Sequence, residues 1–315
     1  MISEFTLQNL STLETVKFGQ DFNCDYIYES GGLDWGNVPA THNVYNYPNQ
    51  IGDSISSTKV NNRDITIEAY VFYSLTDDER EETARGDRIA YAYEKIKVKK
   101  EILNRLINPL NFVRMTIGDY YIDGKPSATP QYGVTEADNN IFFCKFLLTI
   151  FCANPMFKKL TQTVTAISSD VGFFHFPFSI PNYGYVFGLR NNYLMLLAEN
   201  EGNVEIGGKI IITAKATIVN PSVENISNGH IMKIKKTMTS GEVIVINTAD
   251  GSEKGIYGEV NGELVSYLQY WDFTNDWMKF EPGESLIGYS TDNQAETSLD
   301  VKIEINPAKY GLEEM

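Results

Sequence analysis

A chain of 315 residues, 43% of them hydrophobic, is long enough for two cores and too apolar to be disordered. A formal charge of −15 disfavours a nucleic-acid surface, which needs clustered Lys and Arg to displace counter-ions. Aromatics reach 12%, with 19 Tyr and 17 Phe, and their company of β-branched residues leans the chain toward strands.

FTLQNL and CDYIYES open the chain with strand composition. Residues 31–62, GGLDWGNVPATHNVYNYPNQIGDSISSTKVNN, then run long with little periodicity. Connections of that length are uncommon and usually functional. Trp35, Tyr45, Tyr47 and Ile51 make this one too apolar for a free linker. It reads as a long arm or hairpin that packs on something, against the alternative of a loop folded back on its own domain. DITIEAYVFYS follows as a strand, with Ile65, Ile67, Ala69 and Val71 on one face. Its second half is apolar on both faces, which fits a strand covered on both sides.

Thr76-Asp77-Asp78-Glu79 has the capping-box pattern. The spacing predicts a helix to about residue 107, weakened at Gly86, with Ile89, Tyr93, Ile96, Leu103, Leu106 and Ile107 on its apolar stripe. Lys95, Lys97, Lys99, Lys100 and Arg105 crowd its second half. Basic side chains suit a helix C-terminus; a patch for an acidic neighbour is the other reading. Asn108-Pro109 stops the helix. A strand over 111–117 follows, then a turn, DYYIDG, and after a Pro/Gly loop the long apolar strand IFFCKFLLTIFCA. Cys144 and Cys152 share a face of that strand, too far apart to bond, so buried free thiols suited to a reducing cytoplasm are expected. Beyond residue 160 short strands recur without a convincing helix, separated by turns such as Asn228-Gly229, Asn261-Gly262 and Pro282-Gly283. Such punctuation argues a sandwich and sets a boundary near 157–160.

The chemistry of catalysis has few carriers. His42, His175 and His230 are the three histidines, and none has a helical partner four residues on. His175, between phenylalanines, reads as a packed residue. No phosphate loop, dinucleotide fingerprint or nucleophile elbow occurs. Catalytic, cofactor and metal residues are therefore none. Asn9 and Asn225 open Asn-x-Ser matches that mean nothing without a secretory signal, which the N-terminus does not resemble. No apolar run approaches a membrane span. In YLQYWDFTNDWMKFEPGE, residues 267–284, Tyr270, Trp271 and Trp277 offer flat faces for sugar stacking; the plainer reading is that they fill a sandwich core.

The order of DITIEAYVFY, the helix ending INPLNFVRMTIGDYYIDG, and NNIFFCKFLLTIFCANPMF resembles the distal tail protein family of tailed bacteriophages. FHFPFSIP, VNPSVENISNGHIMKIKKTMTSGEVIVINTADGS, WMKFEPGESLIGY and the closing VKIEINPAKYG resemble that family's C-terminal domain. The resemblance covers nearly the whole chain and rests on the order of its motifs. It implies a mainly β protein with one principal helix. Residues 1–158 would form a tail-tube-like β-sandwich plus helix, and residues 159–315 a galectin-like β-sandwich. It further implies a homo-hexameric ring in the virion tail, made in the host cytoplasm. That ring would join the tail tube to the baseplate or tail tip. Its partners would be the tail tube protein, the tape-measure protein, a tail hub or tail-associated lysin, and other baseplate or receptor-binding proteins. No galectin-type sugar motif is present. The alternatives are a carbohydrate-binding adhesin that touches the host cell wall through the C-terminal sandwich, and a cell-wall hydrolase.

Three expectations follow from the ring. Trp35, Tyr45, Tyr47 and Ile51 make contacts between subunits or stacked rings. The strand at 140–153 is covered by its own sandwich and by a neighbour. The channel face is acidic or neutral, so DNA passes without sticking, and the lysines at 95, 97, 99 and 100 face outward or toward a protein neighbour.

Overall fold

The computed structural model describes residues 4–84, 86–140, 142–167, 170–172, 188–190, 195–251, 253–260 and 262–312. The chain divides into two units, Met1–Lys158 with Tyr310–Met315, and Lys159–Lys309. It is mainly β, with one principal helix.

The first unit contains β1 (Glu4–Asn9), β2 (Thr15–Gly19), β3 (Tyr26–Asp34), β4 (Ala40–Tyr45), β5 (Ser54–Val60) and β6 (Arg63–Phe72). Two helices follow, α1 (Asp77–Glu82) and α2 (Arg88–Leu106). Then come β7 (Val113–Ile117), β8 (Tyr120–Pro126), β9 (Gln131–Tyr132), β10 (Phe143–Cys152) and β11 (Phe157–Lys159). One sheet runs β11-β8-β7-β1-β2-β3-β6-β10-β9, and β8 also pairs with β10 through Ile150↔Pro126 and Phe151↔Lys125. The sheet thus rolls onto itself, and its two halves face each other across one core. Phe5, Phe18, Tyr26, Ile65, Ile67, Met115, Phe146 and Leu148 fill that core, together with Ile96, Leu103 and Leu106 of α2.

Strand alternation was legible for β6 and β10. Ile65, Ile67, Ala69 and Val71 are all buried, as are Cys144, Phe146, Leu148, Ile150 and Cys152 opposite them. Their other face is not covered on both sides by this chain: Tyr70, Phe72 and Phe143 are half-buried, and Leu147 and Phe151 are exposed.

Two local readings need correction. The helix is not continuous from the capping box to residue 107. Thr76 caps α1 with the full box, but Thr83 leaves it in extended backbone. Arg88 then caps the freed end by donating to the carbonyls of Thr83 and Arg80. On α2 the buried stripe is Ala92, Ile96, Leu103 and Leu106, while Ile89 and Tyr93 are exposed. Asp123-Gly124 is no turn either; the turn lies at Gly118-Asp119, and Asp123-Gly124 sits inside β8. Asp123 takes a bidentate ion pair from Arg114 on β7, at 2.7 and 2.9 Å. Gly124 lies where a Cβ would come within 2.6 Å of Ile150 Cγ2 and 2.8 Å of the Phe151 carbonyl. The pair reads as a turn in isolation, and the closure of the sheet uses it as a strand.

The second unit contains β12 (Thr163–Ile167), β13 (Asp170–Gly172), β14 (Gly188–Arg190), β15 (Met195–Asn200), β16 (Gly208–Ala214), β17 (Ile218–Val219) and β18 (Ser222–Asn225). It continues with β19 (His230–Lys233), β20 (Thr237–Met238), β21 (Val243–Asn247), β22 (Gly255–Val260), β23 (Glu263–Ser266), β24 (Gly283–Ser290) and β25 (Leu299–Ile305). A six-stranded sheet, β12-β25-β16-β21-β22-β23, and a four-stranded sheet, β15-β24-β18-β19, form a β-sandwich. Ile210, Ile212, Ile244, Ile246, Val301 and Ile303 of the first sheet are buried, as are Leu196, Val223, Met232 and Ile287 of the second. Residues 173–187, which hold all of FHFPFSIP with its His175, lie outside the described residues, as does Asn261 of the Asn261-Gly262 turn.

Candidate functional site

The long connection between β3 and β6 is a two-stranded arm. β3 bulges after Tyr28, so that Tyr28 pairs with Ala69 but Leu33 with Ile67. Gly31 takes φ +90° there, and a Cβ at Gly32 would meet the Glu68 carbonyl at 2.6 Å. The bulge turns the chain out of the sheet. Trp35 pins the root, with its ring 6.3 Å from Phe5 and 5.9 Å from Phe157. Beyond it β4 and β5 pair from Ala40↔Val60 to Tyr45↔Ser54, with a register shift at Asn43/Val44. Nearly every residue of the arm is exposed.

Among the four arm residues that the sequence singles out, Trp35 departs from the rest, because it packs on the core of its own unit. Tyr45, Tyr47 and Ile51 stand at the exposed tip, with Tyr45 and Tyr47 edge-to-face at 5.1 Å and Ile51 wholly open to solvent. Val44 and Ile55, paired neighbours in the register, add two more exposed apolar side chains. A hairpin with no core is marginal in water by itself, and this one leaves its apolar surface uncovered.

A groove on the outer face of β3, β6 and β10 is the second apolar surface. Phe22, Ile27, Tyr70, Phe72 and Phe143 line a cavity of about 320 Å³, with Glu29 and Asp138 at its side. Two aromatic pairs build it, Phe22 with Phe72 at 5.2 Å and Tyr70 with Phe143 at 5.6 Å. Phe22 is 77% exposed, far more than a core ring. The sequence shows Phe72 and Phe143 as apolar positions on a strand's second face; only the pairing of β6 with β10 makes them one surface.

The lysines of α2 have partners within their own unit. Lys95 lies over Tyr91 at 5.0 Å and 3.8 Å from Glu79, and Lys97 lies over Tyr93 and pairs with Glu94 at 2.6 Å. Lys99, on the inward side of the helix, donates to the Asp25 carbonyl at 3.0 Å and lies 4.9 Å from the Phe72 ring. Lys100 reaches Asn139 at 3.3 Å and the Tyr132 ring at 5.1 Å. Burial lowers the pKa of Lys99 against the opposing pull of Asp25. Glu79 anchors this end of the helix pair. The Tyr73 hydroxyl first, then the Thr76 backbone and the Tyr91 hydroxyl, pull its pKa down from 4.5 to about 2.

Cys24, Cys144 and Cys152 are buried and free, and burial pushes the Cys152 thiol up to about 12, which keeps it protonated. No group of three His, Cys, Asp or Glu that could hold a metal is found among the described residues. Both Asn-x-Ser matches are turn devices. Asn9 accepts from the Ser11 amide at 2.9 Å and donates to the Leu106 carbonyl; Asn225 accepts from the Ser227 amide at 3.1 Å and donates to the Lys279 carbonyl. Both side chains are fully buried. His42 sits on the arm beside Thr58 at 2.9 Å.

In the second unit Trp271 and Trp277 come together at 4.6 Å with planes 44° apart, and Phe273 joins Trp271 at 5.0 Å and 53°. Tyr270 belongs to a separate pair with Tyr267, beneath Lys236. The three rings the sequence groups therefore share no plane. Trp271 Nε1 is buried without an acceptor among the described residues.

Two kinds of likeness place this architecture. Residues 201–304 match the family described as siphovirus-type tail component, C-terminal domain. In fold the chain is similar to SPP1 Dit (gp 19.1), described as a paradigm of the hub adsorption apparatus in phages that infect Gram-positive hosts. That likeness covers 96% of this chain and 98% of the other, at 12% identity and a TM-score of 0.58. A chain of the phage P2 baseplate in its activated conformation with Ca is similar over 97% of this chain and 98% of its own, at 14% identity and a TM-score of 0.42, too loose to carry an argument. No curated protein sequence matches. The second unit thus carries the match to a tail component, and the chain has the fold of a distal tail protein.

Proposed function

We propose that the protein is a structural component of a phage tail, a subunit of a hexameric ring that joins the tail tube to the baseplate or tail tip. The observation that carries this reading is the tail-component match at residues 201–304, inside a chain whose fold follows that of SPP1 Dit over 96% of its length. The exposed apolar surfaces of the first unit support it. A subunit destined for a closed ring leaves apolar side chains such as Tyr47 and Ile51 open until a neighbour covers them. Its partners in this reading are further copies of itself, the tube above, and the hub and receptor-binding proteins below.

The test is the mass of the purified protein in solution, alone and with its hub, with electron microscopy of the same samples. A mass six times that of the chain and a ring with sixfold symmetry are expected. A monomer at every concentration, with and without the hub, would overturn the reading. Replacing residues 44–56 by an Asn-Gly turn between the paired Asn43 and Ser57 should leave a folded monomer.

A further inference from the structure

We infer that the segment Tyr310–Leu312 is a strap on the root of the arm. It holds Arg63 in place, and through Arg63 it fixes the direction in which β4 and β5 leave the first unit. This goes beyond the ring reading and does not depend on it.

Arg63 is the first residue of β6, where the chain comes back from the arm. Only 2% of it is exposed. A buried guanidinium carries five donors and a charge, and ordinarily sits beside a carboxylate. Among the described residues Arg63 has no such partner. Its Nη2 donates to the Tyr310 carbonyl, its Cζ lies 4.7 Å from the centre of the Phe157 ring, and its Nε is buried without an acceptor. The acceptor that keeps this cation inside is thus a backbone carbonyl 247 positions away.

The outgoing side of the arm is built on the same two side chains. Gly36 takes φ +64°, and a Cβ there would collide with the Asp64 carbonyl and come within 3.3 Å of Arg63 Cγ. Trp35 packs on the Phe157 ring at 5.9 Å, the ring that Arg63 also covers. Further out, the two sides of the arm are joined by the Asn61 amide, which donates to the Pro39 carbonyl at 2.9 Å, and by the Asn61 side chain, which donates to Thr41 Oγ1 at 2.8 Å. Tyr310–Leu312 belongs to the first unit, and Leu312 packs against that unit's core. Outgoing chain, returning chain and strap therefore meet on Arg63 and Phe157.

Taking the strap away removes the acceptor from a buried cation. Leaving the guanidinium unpaired is costly, and it reaches water only by swinging away from Gly36 and off Phe157. That movement loosens Gly36 and Trp35 together. The arm has no core of its own, so its direction is set at this root.

The test is amide hydrogen exchange on the full chain and its variants, compared in one state of association that is checked by mass. In a chain ending at Lys309, the amides of Gly36 and Asn61 should exchange at least about tenfold faster, while those of β7, paired with β1, keep their rates. In an Arg63→Met background, which keeps the apolar stem without the donors, the same truncation should change Gly36 and Asn61 by less than about twofold, because the link is already gone. Leu312→Ser in the full chain loosens the strap without touching Arg63, and should give a smaller rise at the same two amides. Unchanged exchange at Gly36 and Asn61 in the truncated chain overturns the strap. A tenfold rise in the Arg63→Met background as well overturns Arg63 as the link. Equal acceleration of β7 in the Leu312→Ser chain means that the segment is a general part of the core, and overturns the inference too.

Discussion

The arm and helix α2 both stand out in the sequence as surfaces for a partner, one by its aromatics and one by its lysines. The fold treats them oppositely. Lys95, Lys97, Lys99 and Lys100 each lie over an aromatic ring, and each meets a carboxylate, a carbonyl or an amide of their own unit. Tyr47, Ile51, Val44 and Ile55 lie exposed on a hairpin that has no core. An excess of one residue type marks a partner surface only where the fold leaves it unused.

Substitutions can break or sharpen that contrast. The largest effect belongs to the helix core. Leu103→Ala, at a wholly buried position, should cost about 3 kcal/mol of stability in chemical denaturation. A change below about 1 kcal/mol would mean that α2 is not held by its apolar stripe. Gly124→Ala, against the Phe151 carbonyl and Ile150, should cost about as much by overpacking the sheet closure. Next comes Lys99→Met, which keeps the apolar stem but removes the charge over Phe72 and the donor to Asp25. A loss of about 1 kcal/mol is expected, and none if that lysine is merely a surface charge.

Glu79 gives a smaller, pH-dependent effect. Its folded pKa of about 2 lies below the ordinary 4.5, so the stability it adds is fully present above 4.5 and fades as the pH falls toward 2. Wild type and Glu79→Gln should therefore differ in melting temperature at pH 6 and converge near pH 2. A constant gap across that window would show that the carboxylate's charge is not what matters. Smallest of all, Tyr47→Asp with Ile51→Asp should change the stability of the protein by less than about 0.5 kcal/mol, because Ile51 is wholly exposed and Tyr47 packs on the exposed Tyr45 ring at the tip rather than on a core.

The sequence by itself determined the strands and the class. Alternation in DITIEAYVFY and in the strand through Cys144 and Cys152 fixed which side chains face the core, since a period of two leaves one choice once one face is buried. The capping box at Thr76 and the stop at Asn108-Pro109 located the helical segment, because caps are local chemistry. The aromatic excess of residues 31–62 showed that this connection carries more than a linker needs.

Tertiary structure decided the rest. Asp123-Gly124 became strand because Arg114 and the close backbone of β10 are far away in sequence. Trp35 went to the core while Tyr45, Tyr47 and Ile51 went to solvent, a division set by where the bulge in β3 turns the chain outward. Phe22, Phe72 and Phe143, up to 121 positions apart, became one groove only when β3, β6 and β10 lay side by side. The sequence records which side chains are apolar; which of them meet, and which are left exposed, is a property of strand order and register, which no local pattern encodes.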